Sequence, residues 1–251
     1  MKIKHNTGVR GLQIVNHLLL FYGTYYAIVN DLYHLLVVSL LINYFIGVLG
    51  INVCFHRLIS HRSFKTNIYI EKLLSIIGVL TTVGSPIAWS AVHRRHHQVT
   101  DTIEDPHSPH VLGKLKAWFG FWNYKNFNAK LIKDLRKDIW YKKLHKNYFY
   151  IIMMYCMILF LLDPLYVIYV YAIPACLCLH SSSAGIVFAH MYGYRNHELG
   201  NDLSRNNWFA NIITLGEGWH NNHHANPRAW SNWEKWWEVD IPSLIIRVIK
   251  T

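Results

Sequence analysis

GLQIVNHLLLFYGTYYAIVNDLYHLLVVSLLINYFIGVLGINVCFH, residues 11–56, contains neither lysine nor arginine. A second stretch, NYFYIIMMYCMILFLLDPLYVIYVYAIPACLCLHSSSAGIVFAHMYGY, residues 147–194, shares that property. A helix that crosses a membrane needs about 20 apolar residues, so each stretch has room for two helices and a turn. The spans expected are 12–29 and 35–55, turning at Asn30-Asp31, and 147–162 and 165–187, turning at Asp163-Pro164. Both turns lack Lys and Arg. All the cations fall in the N-terminus, in 57–146 and after 194. Positive charge is retained in the cytoplasm, which places both termini and the intervening cap on the cytosolic side.

Working outward, residues 68–88 are apolar but interrupted by Glu71, Lys72, Gly84 and Pro86, the pattern of an interfacial helix. Residues 113–146 mix Lys and Asp with Trp118, Phe119, Phe121, Trp122, Trp140 and Tyr141, which suits a cap touching lipid headgroups. Trp230, Trp233, Trp236 and Trp237, then the amphipathic run Leu244 to Ile249, repeat the theme. The fold expected is an all-α integral membrane protein, multi-pass with four transmembrane helices. A cytosolic helical cap, from 56–146 and 188–251, would carry a histidine-rich dimetal site.

Composition narrows the function. The chain has 251 residues, 52% hydrophobic, with 25 Lys+Arg against 14 Asp+Glu. No nucleic-acid-binding motif accompanies the positive charge, so no nucleic-acid partner is expected, and a lipid membrane or an anionic substrate accounts for it better. Cys54, Cys156, Cys176 and Cys178 sit in apolar runs and read as small buried hydrophobes.

Three clusters hold eight of the seventeen histidines: His56 and His61; His93, His96 and His97; His220, His223 and His224. In H-x-x-H-H the three rings share one helix face. His56 and His61 are five apart, about 140° off-register on an α-helix, so their convergence predicts a chain bend after His56. Eight imidazoles exceed the four ligands of a tetrahedral zinc; two metals fit better, and imidazole suits iron, copper and zinc alike. His17, His34 and His180, within spans, read as satisfied polar groups, and His5, His110, His145 and His197 as surface residues. Arg57, Arg62, Arg94 and Arg95 are expected at headgroups or an anionic substrate.

Three motifs in this order, HRLISHRSF at 56–64, HRRHH at 93–97 followed by EDPH at 104–107, and GEGWHNNHH at 216–224, resemble the histidine boxes of membrane fatty acid desaturases. The similarity is greatest to the acyl-CoA Δ9 branch and runs from Gly47 to Lys250. The resemblance implies one membrane desaturase domain over 1–251, with two iron ions and O2 as co-substrate. It would insert a cis double bond, Δ9 in a C16–C18 chain, into a saturated acyl thioester or acyl-lipid. It also implies a ninth ligand, His190, in the segment AHMYGYR at 189–195. Ile186 stands where the family often has an Asn. Trp89 is implied near the bend of the acyl channel, with Tyr44 and Val48 at its closed end. Lys114, Lys116, Arg136 and Lys137 would attract the anionic carrier. No haem, iron–sulfur or dinucleotide motif is present, so an external electron donor, a ferredoxin or cytochrome b5, is implied. An acyl hydroxylase or acetylenase on the same site is the alternative reading, and a metal transporter a more distant one.

Overall fold

The computed structural model describes residues 5–121, 128–214 and 216–251, with side chains from Thr7 onward; His5 and Trp122, assigned above to the surface and the cap, lie outside the described side chains. Helix α1, His5–Val29, turns at Asp31 into α2, Tyr33–Ile46, which continues as a π-helix over Gly47–His61. Next come α3, Ile68–Leu80, and α4, Pro86–Val99. The short helices α5, Pro109–Leu112, α6, Lys114–Trp118, and α7, Lys133–Lys137, form the cap. Helices α8, Ile139–Lys146, and α9, Tyr148–Leu162, follow. Helix α10, Pro164–Tyr166, passes through a second π-helical turn, Val167–Ala172, into α11, Ile173–Met191. The chain ends with α12, Trp208–Ile213, α13, His220–Ala225, and α14, Ile241–Ile249.

Among the described residues, three helices are long and apolar enough to cross a membrane: Thr7–Val29, Tyr33–His61 and Pro164–Met191. A fourth is available if α8 and α9, bent by 66°, count as one span. The second and last run past the ends expected from sequence, to His61 and Met191, because both carry histidines to the site beyond their apolar stretch. The outer faces of the first two spans are apolar, with Phe21, Tyr25 and Leu41 each more than 60% exposed, as lipid contact requires.

The middle segment packs closely on the second span. A Cβ on Gly50 would lie 2.7 Å from the Cα of Gly78, and one on Gly78 would collide with Phe55. That approach seats α3 on the π-helix and fixes the height at which His56 and His61 emerge. Thr82 caps the other side: Gln13 Nε2 donates to its carbonyl (2.9 Å), which ties α1 to the loop before α4.

Candidate metal centre

Each histidine cluster reaches the centre by its own local device. The spacing predicts a bend after His56, but the helix runs on unbroken and changes its winding instead. In a π-helix the i→i+5 hydrogen bond stacks residues five apart, and the rings of His56 and His61 lie 4.9 Å apart. Arg62 then stops the helix in the left-handed conformation (φ 54°). Helix α4 starts at Ser85, whose hydroxyl accepts from Ala88 N, with Pro86 at the first helical position; His93, His96 and His97 project from its last turns. The third cluster sits on the single turn α13. Its two asparagines are buried anchors: Asn222 Nδ2 donates to Glu238 at 2.8 Å, and Asn221 Oδ1 accepts from the backbone of Asn196 and His197. Near the end of α11, His190 completes the set.

The nine histidines fall into two groups. His56, His61, His93, His97 and His223 form one, and His96, His190, His220 and His224 the other; within each, one nitrogen per ring lies within 4.8 Å of every other. Two imidazoles on one metal, at about 2.1 Å per bond, span up to about 4.2 Å, so each group is close to the size of one coordination shell.

The outer ring nitrogens decide the chemistry. The Nδ1 of His96 donates to Asp105 (2.8 Å), that of His190 to Asp101 (2.9 Å) and that of His224 to Asp202 (2.6 Å), while Glu217 places a carboxylate oxygen 2.9 Å from His56 Nδ1. A neutral imidazole whose Nδ1 carries the proton offers only a lone pair at Nε2. His96 and His224 are both fixed this way, yet their Nε2 atoms face each other at 3.3 Å. As neutral rings neither has a proton to give, so the contact calls for positive charge between them, a metal ion or a proton on His96. These carboxylates orient and enrich the ligands, as outer partners do at metal sites. The sequence reading quoted Asp105 and Glu217 inside motifs without giving them a task, and it passed over Asp101 and Asp202. Asp105 and Glu217 carry a signal, a carboxylate within a histidine motif, whereas Asp101 and Asp202 lie far in sequence from the rings they hold.

Ionisation agrees. Burial first, then crowding by neighbouring imidazoles, holds His93, His97, His220, His223 and His224 well below the ordinary histidine value, so they stay neutral. Burial would do the same to His96, but Asp105, with Asp101 and Asp202 behind it, raises it instead. Burial opposes the charge of Asp101 and Asp105, yet His190 and His96 respectively keep both well below the usual carboxylate range.

A family profile described as fatty acid desaturase matches residues 32–243, which include every one of these histidines. The chain belongs to the fatty acid desaturase family. It is therefore an oxidoreductase acting on fatty acyl chains. It is similar to Delta-9 acyl-lipid desaturase 2 of Arabidopsis thaliana, 36% identical over 214 residues, 81% of this chain and 68% of that one. An acyl-CoA C20 Delta5-desaturase of Anemone leveillei is 35% identical over 217 residues, 81% of this chain and 67% of that one. An sn-1 stearoyl-lipid 9-desaturase of Anabaena variabilis is 33% identical over 218 residues, 85% of this chain and 79% of that one.

Among the described residues, two apolar cavities lie side by side at the centre. One, of about 80 Å³, touches His56, His93, His96 and His220 and is walled by Gly47, Ile51, Cys178, Gly185 and Ile186. The other, of about 380 Å³, lies between α1, α4 and the cap and has Arg10 and Gln13 in its wall. Trp89 and Val92 line both. Trp89 therefore stands at the junction, stacked on His93 at 4.7 Å. Tyr44 is 38% exposed and Val48 is packed in the core; neither lines these cavities, where Gly47 and Ile51 take the place given to them.

Other residues depart from their sequence reading. Arg57 meets no headgroup: it is 1% exposed and paired with Asp240 (2.8 Å) and Glu217 (3.0 Å), which locks the C-terminal segment to the π-helix. Arg94 and Arg62 share Asp134, and Arg95 pairs with Glu104. His110 is exposed, but His145 bonds Ser85 and His197 bonds Glu234, both half-buried.

Proposed function

We propose that the chain is an O2-dependent di-iron acyl desaturase that forms a cis Δ9 double bond in a saturated C16–C18 chain carried as a CoA thioester. The two convergent histidine groups carry this reading: five rings and four rings, each ring offering one nitrogen within 4.8 Å of the others in its group, with carboxylates behind His96 and His224. The five-histidine and four-histidine groups would each hold one iron. Bound iron supplies the activation of O2 and the hydrogen abstraction that no side chain here can perform on an unactivated methylene.

The protein's own residues do the rest. Asp105, Asp101 and Asp202 keep three imidazoles in one tautomer and aim, and Glu217 sets its charge beside His56. Trp89 and Val92 form the waist that an alkyl chain running through both cavities would cross, and so choose the carbon pair held beside the histidines. The apolar walls exclude water from the reacting carbons. Arg10, with the exposed Lys114, Lys116, Arg136 and Lys137, gives the anionic carrier a cationic approach. The Lys- and Arg-free turns support four spans within a single domain, with both termini and the centre cytosolic. The two electrons come from an external donor of the ferredoxin or cytochrome b5 type.

Expression in a desaturase-deficient host, followed by mass spectrometry of the acyl chains, tests the reaction. A Δ9 alkene is expected. A hydroxylated product without alkene would favour the hydroxylase reading, and a panel of CoA, acyl-carrier-protein and glycerolipid substrates identifies the carrier.

A further inference from the structure

Removal of two hydrogens by O2 consumes two electrons and two protons: R–CH2–CH2–R′ + O2 + 2 e⁻ + 2 H⁺ → R–CH=CH–R′ + 2 H2O. The described residues contain no haem-binding or clustered-cysteine redox site of their own, since all four cysteines are free and only Cys176 and Cys178 are near in sequence. The electrons must cross the surface somewhere, and the surface is not uniform.

An open hollow of about 680 Å³ lies where the end of the first π-helix, α4, α7 and the segment after α13 meet. Its rim carries Arg62, Lys130, Lys133, Lys137 and Arg228, all exposed, with Arg94 beneath. The one carboxylate in the lining, Asp134, is already shared by Arg62 and Arg94. Lys130, Lys133, Lys137 and Arg228 have no carboxylate partner among the described residues. In the wall of this hollow is His61, whose Nε2 lies 2.6 Å from His93 Nε2.

Burial points the same way. The four-histidine group is wholly buried, whereas the five-histidine group contains two half-buried members, His61 and His97. No residue that lines the hollow lines either apolar cavity. The hollow and the apolar cavities thus share no wall, and from the hollow the centre is one imidazole, His61, away.

From this arrangement we infer that the hollow is the docking surface for an acidic one-electron carrier protein, which reduces the centre twice per turnover through His61. The inference rests on the proposed di-iron reading. A carboxylate-rich carrier face fits a cationic concavity and is steered to it by long-range attraction, with salt-dependent rates. The carrier gives up one electron at each docking, and the protons come from water.

The test uses the full-length, iron-loaded protein in uncharged phosphatidylcholine nanodiscs. The probes are a reduced plant-type ferredoxin, the soluble haem domain of a reduced cytochrome b5, and dithionite. The variant is Lys130→Glu/Lys133→Glu/Arg228→Glu, which touches no histidine and no apolar cavity. Stopped-flow reduction by whichever carrier reduces the wild type should slow by about tenfold or more at low salt, and its salt dependence should flatten. Carrier binding measured by surface plasmon resonance should weaken in parallel. Dithionite reduction, iron content and acyl-CoA binding should not change. Unchanged carrier kinetics overturn the inference. So does an equal slowing with dithionite, or a loss confined to acyl-CoA binding, which would make the hollow a phosphate site. So does a wild type that dithionite supports in making alkene while neither carrier reduces it. If dithionite-reduced wild type makes no alkene, the proposed function fails, while carrier binding still reads out the surface on its own.

Discussion

Two pairs of histidines in this molecule look alike and are built for opposite ends. His96 and His224 meet Nε2 to Nε2 at 3.3 Å, and His17 and His180 meet Nε2 to Nε2 at 3.1 Å. Cys176 completes a third possible donor beside the second pair. The difference lies on the far side of the rings. In the first pair both Nδ1 atoms give their protons to carboxylates, which leaves two lone pairs in opposition. In the second, His17 Nδ1 donates to the Gln13 carbonyl (2.6 Å), while His180 Nδ1 accepts from Trp118 Nε1–H (3.0 Å). His180 must then carry its proton at Nε2 and donate it to His17. That chain, Trp118 to His180 to His17 to Gln13, is satisfied as it stands and clasps α1, α6 and α11 together. Proximity of ligand-type atoms does not make a metal site; the tautomers set by the outer partners do.

The largest effect should come from deleting a nitrogen on the metal side of this contrast. His96→Ala or His223→Ala should reduce product below detection and remove about one iron of two, read by metal analysis of the purified protein, with membrane insertion unchanged. Chelation of the wild type should give the same loss, and added iron should restore it. His17→Ala, by contrast, should retain full iron content. Iron lost from that variant would abolish the distinction drawn here.

Next in size are the carboxylates. Asp105→Asn keeps an acceptor beside His96 but removes the charge, and Glu217→Gln does the same at His56. Each should weaken metal affinity by about 10- to 100-fold, measured by competition with a chelator. Gln13→Ala removes no acceptor from His17, because the backbone carbonyl remains, and should leave metal affinity unaltered.

A pH series sharpens the same point. In the folded chain His93, His97, His220, His223 and His224 are held below their ordinary value by burial, whereas in the unfolded chain they titrate near about 6.5. Below that pH the unfolded state binds more protons than the folded one. The metal-free protein therefore has its full stability above about pH 6.5 and loses it as pH falls. Melting temperature should decline steadily from pH 7 toward 5 without metal and far less with it. A flat profile without metal would mean that the rings are not buried as neutral ligands.

Much of this was legible in the chain, for identifiable reasons. Two Lys- and Arg-free stretches announce helices, since a charge in lipid is expensive, and the spacing of His93, His96 and His97 announces a shared face. What stayed hidden depends on long-range partners. The π-winding that brings His56 beside His61 leaves no mark in an i, i+5 spacing, which on an α-helix argues against convergence. Arg57 reads as a headgroup cation until Asp240, 183 residues away, is found beside it. Asp101 and Asp202 are ordinary loop acids in sequence. Only the fold brings them behind His190 and His224.

The smallest effect expected concerns Trp118, the donor that sets the tautomer of the clasp. Trp118→Phe keeps a smaller aromatic ring but removes the N–H, leaving His180 Nδ1 free to carry the proton itself. Its Nε2 would then present a lone pair to His17 at the 3.1 Å contact. The protein should lose about 1 kcal/mol, the net worth of one hydrogen bond, seen as a small drop in thermal stability with iron content and activity intact. The variant also recreates, in a span, the opposed lone pairs of the metal centre, without carboxylates to hold them. Two free rings can rotate or exchange tautomers where His96 and His224 cannot, so added Zn²⁺ should bind only weakly there. Tight binding of a further zinc by this variant would mean that opposed nitrogens suffice and the carboxylates are dispensable.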